Sequence, residues 1–329
     1  MAQSSIEWTD ATWNPVTGCT KVSQGCKNCY AERMAQRFAG MNGYPADDPF
    51  RVTLHPDRLD LPLRWRKPRR IFVNSMSDLF HKDVPDEFID RVFAAMARCP
   101  QHTFQVLTKR PERMLDYLSN PDRPARVARA IDLFFENPQW TTLGIALALP
   151  NVWLGVSVEN QAAADERIPL LLQTPAAVRW ISAEPLLGSV DVRPYLPQRL
   201  YLCQKCGEEV DDSERDHNRR HAYCGGTLDE NGTTDGGLDW VIVGGESGPG
   251  ARPMNTNWAR NLRDQCRAAG IPFMFKQHGE WAPAHIGEPH TPVDFGDGSL
   301  YAMKRVGKKQ AGRLLDGVLH DEYPEVKQA

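Results

Sequence analysis

The sequence predicts an α/β protein whose parallel strands, flanked by outer helices, form a partial or full (β/α) barrel. Three observations predict it. Short apolar, β-branched or aromatic runs recur along the chain. Stretches with helical spacing lie between them. Small and polar residues gather just after each run, where ligands sit in such sheets. An open doubly wound sheet is the alternative built from the same units.

The run at 71–74, counted as the second strand, leads into Ser75-Met76-Ser77-Asp78. The third, 104–107, leads into Thr108-Lys109-Arg110-Pro111, and the fourth, 152–158, into Glu159-Asn160-Gln161. The fifth, 178–181, precedes Ser182-Ala183-Glu184-Pro185. The sixth, 240–243, precedes Gly244-Gly245-Glu246-Ser247, and the seventh, 272–275, precedes Lys276-Gln277-His278. Residues 87–98, 161–172 and 257–269 carry helical periodicity; Phe88, Val92, Phe93 and Met96 fall on one face of the first.

Residues 198–237 break this rhythm. They are polar, carry a second group of cysteines and fall between two predicted strands, so they read as an inserted module. The expected organisation is a first part of the core over 1–197, the insert over 198–237, the rest of the core over 238–303 and a tail over 304–329, helical or frayed.

Composition excludes little. A net charge of -3 gives no global attraction to nucleic acid or anionic membrane, so any such binding needs a local basic face. The N-terminus lacks a basic and apolar leader pattern, and no apolar run is long enough to cross a bilayer; a cytoplasmic location is expected. The eight cysteines are clustered, which in that compartment points to metal rather than to disulfides. Cys99 and Cys266 stand alone in helix-like stretches and read as small buried apolar residues.

Cys19, Cys26 and Cys29 form a C-x6-C-x2-C group. Gly18 and Gly25 let the backbone turn tightly around a bound inorganic body. Ala31, Met34, Ala35 and Phe38 follow with helical spacing, which places Cys29 at a helix N-terminus, where a thiolate is favoured. A zinc site normally closes with a fourth ligand, and this loop offers none nearby. An iron–sulfur cluster on three cysteines leaves one iron open. A zinc knuckle completed by a distant residue is the alternative.

A three-cysteine loop ahead of an α/β barrel resembles the radical S-adenosylmethionine superfamily. The commonest spacing there is C-x3-C-x2-C with an aromatic residue before the last cysteine; here the first gap is six residues and Tyr30 follows Cys29. The resemblance implies a [4Fe-4S] cluster whose open iron binds S-adenosyl-L-methionine, reductive cleavage to a 5′-deoxyadenosyl radical, hydrogen abstraction from a substrate, and an external electron donor. Trp8-Thr9-Asp10-Ala11-Thr12-Trp13-Asn14-Pro15-Val16-Thr17-Gly18-Cys19, Val73-Asn74-Ser75-Met76-Ser77-Asp78-Leu79-Phe80 and Leu107-Thr108-Lys109-Arg110-Pro111 are closer still to a family of phage and bacterial proteins. So are Trp153-Leu154-Gly155-Val156-Ser157-Val158-Glu159 and Gly244-Gly245-Glu246-Ser247-Gly248.

In the superfamily a Gly-Gly-Glu turn after the second strand binds the cofactor's amino group. Asn74, Ser75, Ser77 and Asp78 stand there instead, with Asp78 or the backbone of Ser75–Ser77 as the substitute. Ser157 and Glu159 fall where ribose or carboxylate contacts are common, and Glu184, Gly244, Gly245 and Glu246 complete the expected cofactor-binding set. Ser77 and Asp78 equally suit helix capping. Lys276 is a candidate partner for a carboxylate, with a solvent-exposed lysine as the commoner outcome. No catalytic residue is assigned.

Cys203-Gln204-Lys205-Cys206-Gly207 and His221-Ala222-Tyr223-Cys224-Gly225-Gly226 form two knuckles that predict a closed Zn²⁺ site on Cys203, Cys206, His221 and Cys224. His217 competes with His221, and iron competes with zinc. Arg64-Trp65-Arg66-Lys67-Pro68-Arg69-Arg70 is a basic run, and Lys109, Arg110, Arg113, Lys304, Arg305, Lys308, Lys309 and Arg313 add others. Trp8, Trp13 and Trp281 either stack on a base or lie in the core. With the second knuckle, these suggest a nucleic acid base or nucleotide as substrate. The second function class is a non-enzymatic nucleic-acid-binding protein with two structural zinc sites.

Overall fold

Seven strands pair in parallel and in strict chain order, β1 to β7, in this computed structural model. They are Ala11–Trp13 (β1), Arg70–Val73 (β2), Thr103–Thr108 (β3), Val152–Ser157 (β4), Val178–Ala183 (β5), Trp240–Gly244 (β6) and Phe273–Gln277 (β7). The structure describes residues 4, 6–134, 146, 148–211, 214, 220–224, 226–233 and 236–325. β1 and β7 are edges and do not pair with each other, so the sheet curls into a half-barrel and not a closed one. The order never reverses, which rules out the doubly wound alternative.

The helices are Tyr30–Arg37 (α1), Asp86–Ala97 (α2), Pro111–Ser119 (α3), Arg123–Phe134 (α4), Gln161–Gln173 (α5) and Thr256–Ala269 (α6). Local chemistry sets their ends. Asn160 and Asn255 cap α5 and α6 by accepting from Ala163 N and Asn257 N. Pro111 opens α3, and Gly270 closes α6 in the left-handed conformation.

Strand alternation sends residues to two cores. Ile71, Val73, Phe104 and Val106 face outward and meet Phe88, Ile89, Val92, Phe93 and Met96 of α2. Phe72, Trp153, Trp180, Trp240 and Met274 face inward, and with Trp8 they plug the concave side. Gly155 belongs to this plug by being small: a Cβ there would lie 2.5 Å from the Trp180 ring. Two positions further along their strands, Asn74, Ser157, Ser182 and Lys276 sit above the plug and line a cavity. Trp8 and Trp13 are buried, so neither is a free stacking surface. Cys99 and Cys266 are buried too, as expected of apolar residues.

The insert is a separate three-stranded antiparallel sheet, Arg199–Cys203 between Glu209–Asp211 and Leu228–Thr233. The chain after β7 forms another, Trp281–Pro283, Leu300–Arg305 and Thr291–Asp294, so the stretch 238–303 holds the last two parallel strands and then a distinct sheet. The tail has a short helix, Lys308–Ala311, and Tyr323 returns to stack beside Trp240 at 5.1 Å. Among the described residues no helix is long and apolar enough to cross a membrane.

Candidate functional site

The site is built on the loop between β1 and α1. Gly18 has φ +83, and a Cβ there would lie 2.2 Å from the Arg51 carbonyl oxygen, so the turn needs glycine. Gln24–Cys26 forms one turn of 3-10 helix, and Cys29 stands at the N-terminus of α1. Cys19, Cys26 and Cys29 are half-buried and line a cavity of about 420 Å³ at the C-terminal mouth of the half-barrel. That lies within the roughly 300–1,000 Å³ usual for small-ligand sites. All eight cysteines are free thiols.

Three strand ends hold this loop. From β3, Arg110 donates to Cys19 Sγ at 3.5 Å and to the Thr20 carbonyl at 3.0 Å, while Asp78 binds its guanidinium at 2.9 Å. From β4, Glu159 accepts the Ser23 hydroxyl at 2.5 Å and Arg167 at 2.9 Å. From β6, Glu246 accepts Asn28 Nδ2 at 3.0 Å, and Arg252, paired with Glu246, reaches the Gln24 carbonyl at 3.1 Å. Gly25 lets the loop lie on Glu159: a Cβ would meet its Oε1 at 2.3 Å.

These contacts set the charge states. Burial and then the Asp78 carboxylate push the Cys19 thiol up to about 11, against Arg110. Burial also opposes ionisation of Cys26, but the amides of Val22 and Ser23, the Lys109 charge and the Ser23 hydroxyl outweigh it and hold the thiol below its usual range. Burial resists ionisation of Glu246 too; Arg252 and Asn28 reverse that and hold the carboxyl low. A bound cation would reverse the upward shift at Cys19.

The expected cofactor-binding residues divide. Asn74, Ser75, Ser77, Asp78, Ser157, Glu184, Gly245 and Glu246 line the cavity. Within that set Asp78 is used up by its neighbours, accepting from Thr108, Phe80 N, Lys109 N and Arg110. Ser77 donates to the Val16 carbonyl and Ser75 to Asn14. Gly245 is glycine because a Cβ would strike the His278 carbonyl at 2.0 Å, and Gly244 packs on Glu184, 3.2 Å from the same construction. Neither glycine is explained by ligand approach. Glu159 is not among the lining residues and acts on the loop from beneath.

Asn74 behaves differently. It follows β2 directly with φ 60, its Oδ1 accepts from Val16 N, and its buried Nδ2 has no partner. Gln277 gives its Nε2 to Glu184 at 3.0 Å and leaves Oε1 buried and unpartnered. Both residues line the cavity. Glu184 also pairs with Lys276 at 2.8 Å, as the sequence suggested for that lysine.

Asn28, Ser23, Arg167 and Arg252 were not singled out by the sequence, and Arg110 was named only among the basic residues. Arg167 carried a signal: it falls at helical spacing with Ala163, Ala164, Ile168 and Leu171, and the structure buries that face, where an arginine needs an anion.

The second cysteine group converges as expected. The ligand atoms of Cys203, Cys206, His221 and Cys224 all lie within 4.8 Å of one another and could hold a metal ion. His221 Nδ1 is 3.3 Å from both Cys206 Sγ and Cys224 Sγ. His217 lies outside the described residues. Burial opposes ionisation of Cys203, but the amides of Cys206 and Lys205 and the neighbouring thiols bring it down to about 6.

The basic run is largely engaged. Arg64 pairs with Asp60, Arg69 lies over Trp65 and Arg70 pairs with Asp10. Arg113 pairs with Asp86.

No curated protein and no solved structure matches the chain. A family model described as a protein of unknown function (DUF5131) matches residues 3–324 of the 329. On that match the chain belongs to the DUF5131 family.

Proposed function

We propose that the protein is a radical S-adenosylmethionine enzyme with a [4Fe-4S] cluster on Cys19, Cys26 and Cys29. The carrying observation is three free thiols of one loop lining one cavity, with no further Cys or His among the described residues that line it. Three thiols on one loop suit a multi-iron body, and three ligands leave one iron open.

Two orphaned polar atoms of cavity-lining residues support the cofactor reading. Asn74 Nδ2 is a donor free for a carboxylate or ring nitrogen, and Gln277 Oε1 is an acceptor free for an N–H group. Glu184 and Lys276 add a charged pair beside them. Cluster and S-adenosylmethionine together supply one-electron reductive chemistry that ends in hydrogen-atom abstraction, with the electron drawn from an outside donor. The chain's own residues hold the loop in place through Asp78, Glu159 and Glu246 and exclude water with the tryptophan plug.

The apolar wall of Phe72 and Leu107 suits a planar substrate such as a nucleic acid base or nucleotide. The basic run gives this little support, because its arginines are largely engaged. For the insert we propose structural zinc. Its ligand separations of 3.3, 3.4 and 3.6 Å approach the tetrahedral edge of about 3.5–3.8 Å expected for Zn–S and Zn–N bonds.

Anaerobic purification with iron, sulfide and zinc analysis tests the reading, together with electron paramagnetic resonance before and after S-adenosylmethionine is added. About four irons per chain and a signal altered by the cofactor are expected. Zinc alone, with no iron taken up on reconstitution, would replace the reading with a zinc-stapled binding protein.

A further inference from the structure

Thr108, Lys109 and Arg110, at the end of β3, line the cavity. The two cations among them also reach toward the cysteine loop. Arg110 Nη1 lies 3.5 Å from Cys19 Sγ, and its other nitrogen holds the Thr20 carbonyl and hydroxyl at 3.0 and 3.1 Å. Lys109 Nζ stands 3.9 Å from Glu159, the residue beneath Ser23. Arg110 is 14% exposed in its side chain and Asp78 is 7% exposed. The guanidinium is therefore fixed between a thiol sulfur and a carboxylate, in surroundings where charge is weakly screened.

The geometry points to Arg110 as a positioning residue that sets the reduction potential of the cluster through Cys19, with Asp78 as its counterweight. The inference rests on the function proposed above. Hydrogen bonds to cluster sulfurs and nearby net charge are what a protein uses to set such potentials. Reduction adds negative charge to the cluster. An N–H donor and a positive charge at Cys19 favour the reduced form, while Asp78 disfavours it and at the same time fixes the guanidinium. Removing each partner then moves the potential in opposite directions.

The test is a potentiometric titration of the reconstituted protein, followed by electron paramagnetic resonance, with iron content measured in parallel. Arg110→Gln is expected to lower the potential and Asp78→Asn to raise it. Each shift should be about tenfold in the ratio of reduced to oxidised cluster at fixed potential, or about 59 mV for a one-electron couple. Arg110→Lys keeps the charge and should fall between Arg110→Gln and the unsubstituted protein. Should Arg110→Gln fail to hold iron, the Asp78→Asn and Arg110→Lys shifts decide. Coincident potentials in iron-loaded variants, or shifts of the same sign, would overturn the inference and leave Arg110 as scaffold. A protein that never assembles a cluster fails one stage earlier and removes the proposed function as well.

Discussion

Asn28 Nδ2 donates to Glu246 Oε2 at 3.0 Å and so joins the cysteine loop to the end of β6, 218 positions further along the chain. Ser23 and Glu159 make the equivalent link to β4, and Arg110 with Asp78 makes it to the β3 turn. Carboxylates at strand ends are thus spent on the loop that carries the thiols. A loop held from several strands loses little further freedom when it binds a ligand.

Gly25→Ala should loosen this loop. The new Cβ would lie 2.3 Å from Glu159 Oε1, and Glu159 is held by Ser23 and Arg167. A cost of about 1–3 kcal/mol is expected from overpacking, read as a lower urea midpoint of the metal-free protein and weaker iron uptake. An unchanged midpoint with full iron would remove this contact from the account.

The two cysteine groups should lose metal independently. Cys26→Ala is expected to abolish cluster iron and leave zinc in place. His221→Ala should lose zinc, keep iron, and open the Arg199–Thr233 insert to limited proteolysis, because so polar a module depends on its metal. Zinc retained at full stoichiometry in His221→Ala would argue against His221 as a ligand.

Acid should weaken the β6 anchor. The Glu246 carboxyl is held below its ordinary value of 4.5 by Arg252 and Asn28, against burial. A lowered carboxyl contributes stability that is full above 4.5 and is lost as pH falls through the folded-state value. Urea midpoints of the metal-free protein across that window should drop more steeply for the unsubstituted chain than for Glu246→Gln. Identical slopes would mean that this carboxyl does not couple to folding.

Gly155→Ala tests the plug. Its Cβ would stand 2.5 Å from the buried Trp180 ring, whose neighbours Trp8 and Trp240 leave it no room to move. Destabilisation of about 1–3 kcal/mol is expected, seen as a lower thermal midpoint. A neutral result would show that the tryptophan layer yields.

Much of this was legible in the chain. The runs from 71 onward matched strands to within a residue or two because strands buried on both faces are near-continuous apolar segments. The Cys203, Cys206, His221 and Cys224 set was legible because metal knuckles are local, with two residues between the candidate ligands in each. Curvature was not legible: β1 and β7 remain edges because of how twist accumulates across the whole sheet, which no segment encodes.

The role of each polar strand-end residue was the least readable. Asp78 and Asn74 belong to one turn, yet Asp78 accepts from four groups while Asn74 Nδ2 has none. Residue type and position after a strand are the same kind of information for both. The sequence by itself determined the alternating strand and helix units, the thiol groups and the polar rim; the order of the strands in the sheet came from the structure. Only the tertiary structure decided which rim residues face the cavity and which hold the cysteine loop. Hydrogen bonding acts over about 3 Å, and Arg252 and the Gln24 carbonyl, brought to that range here, lie 228 positions apart in the chain.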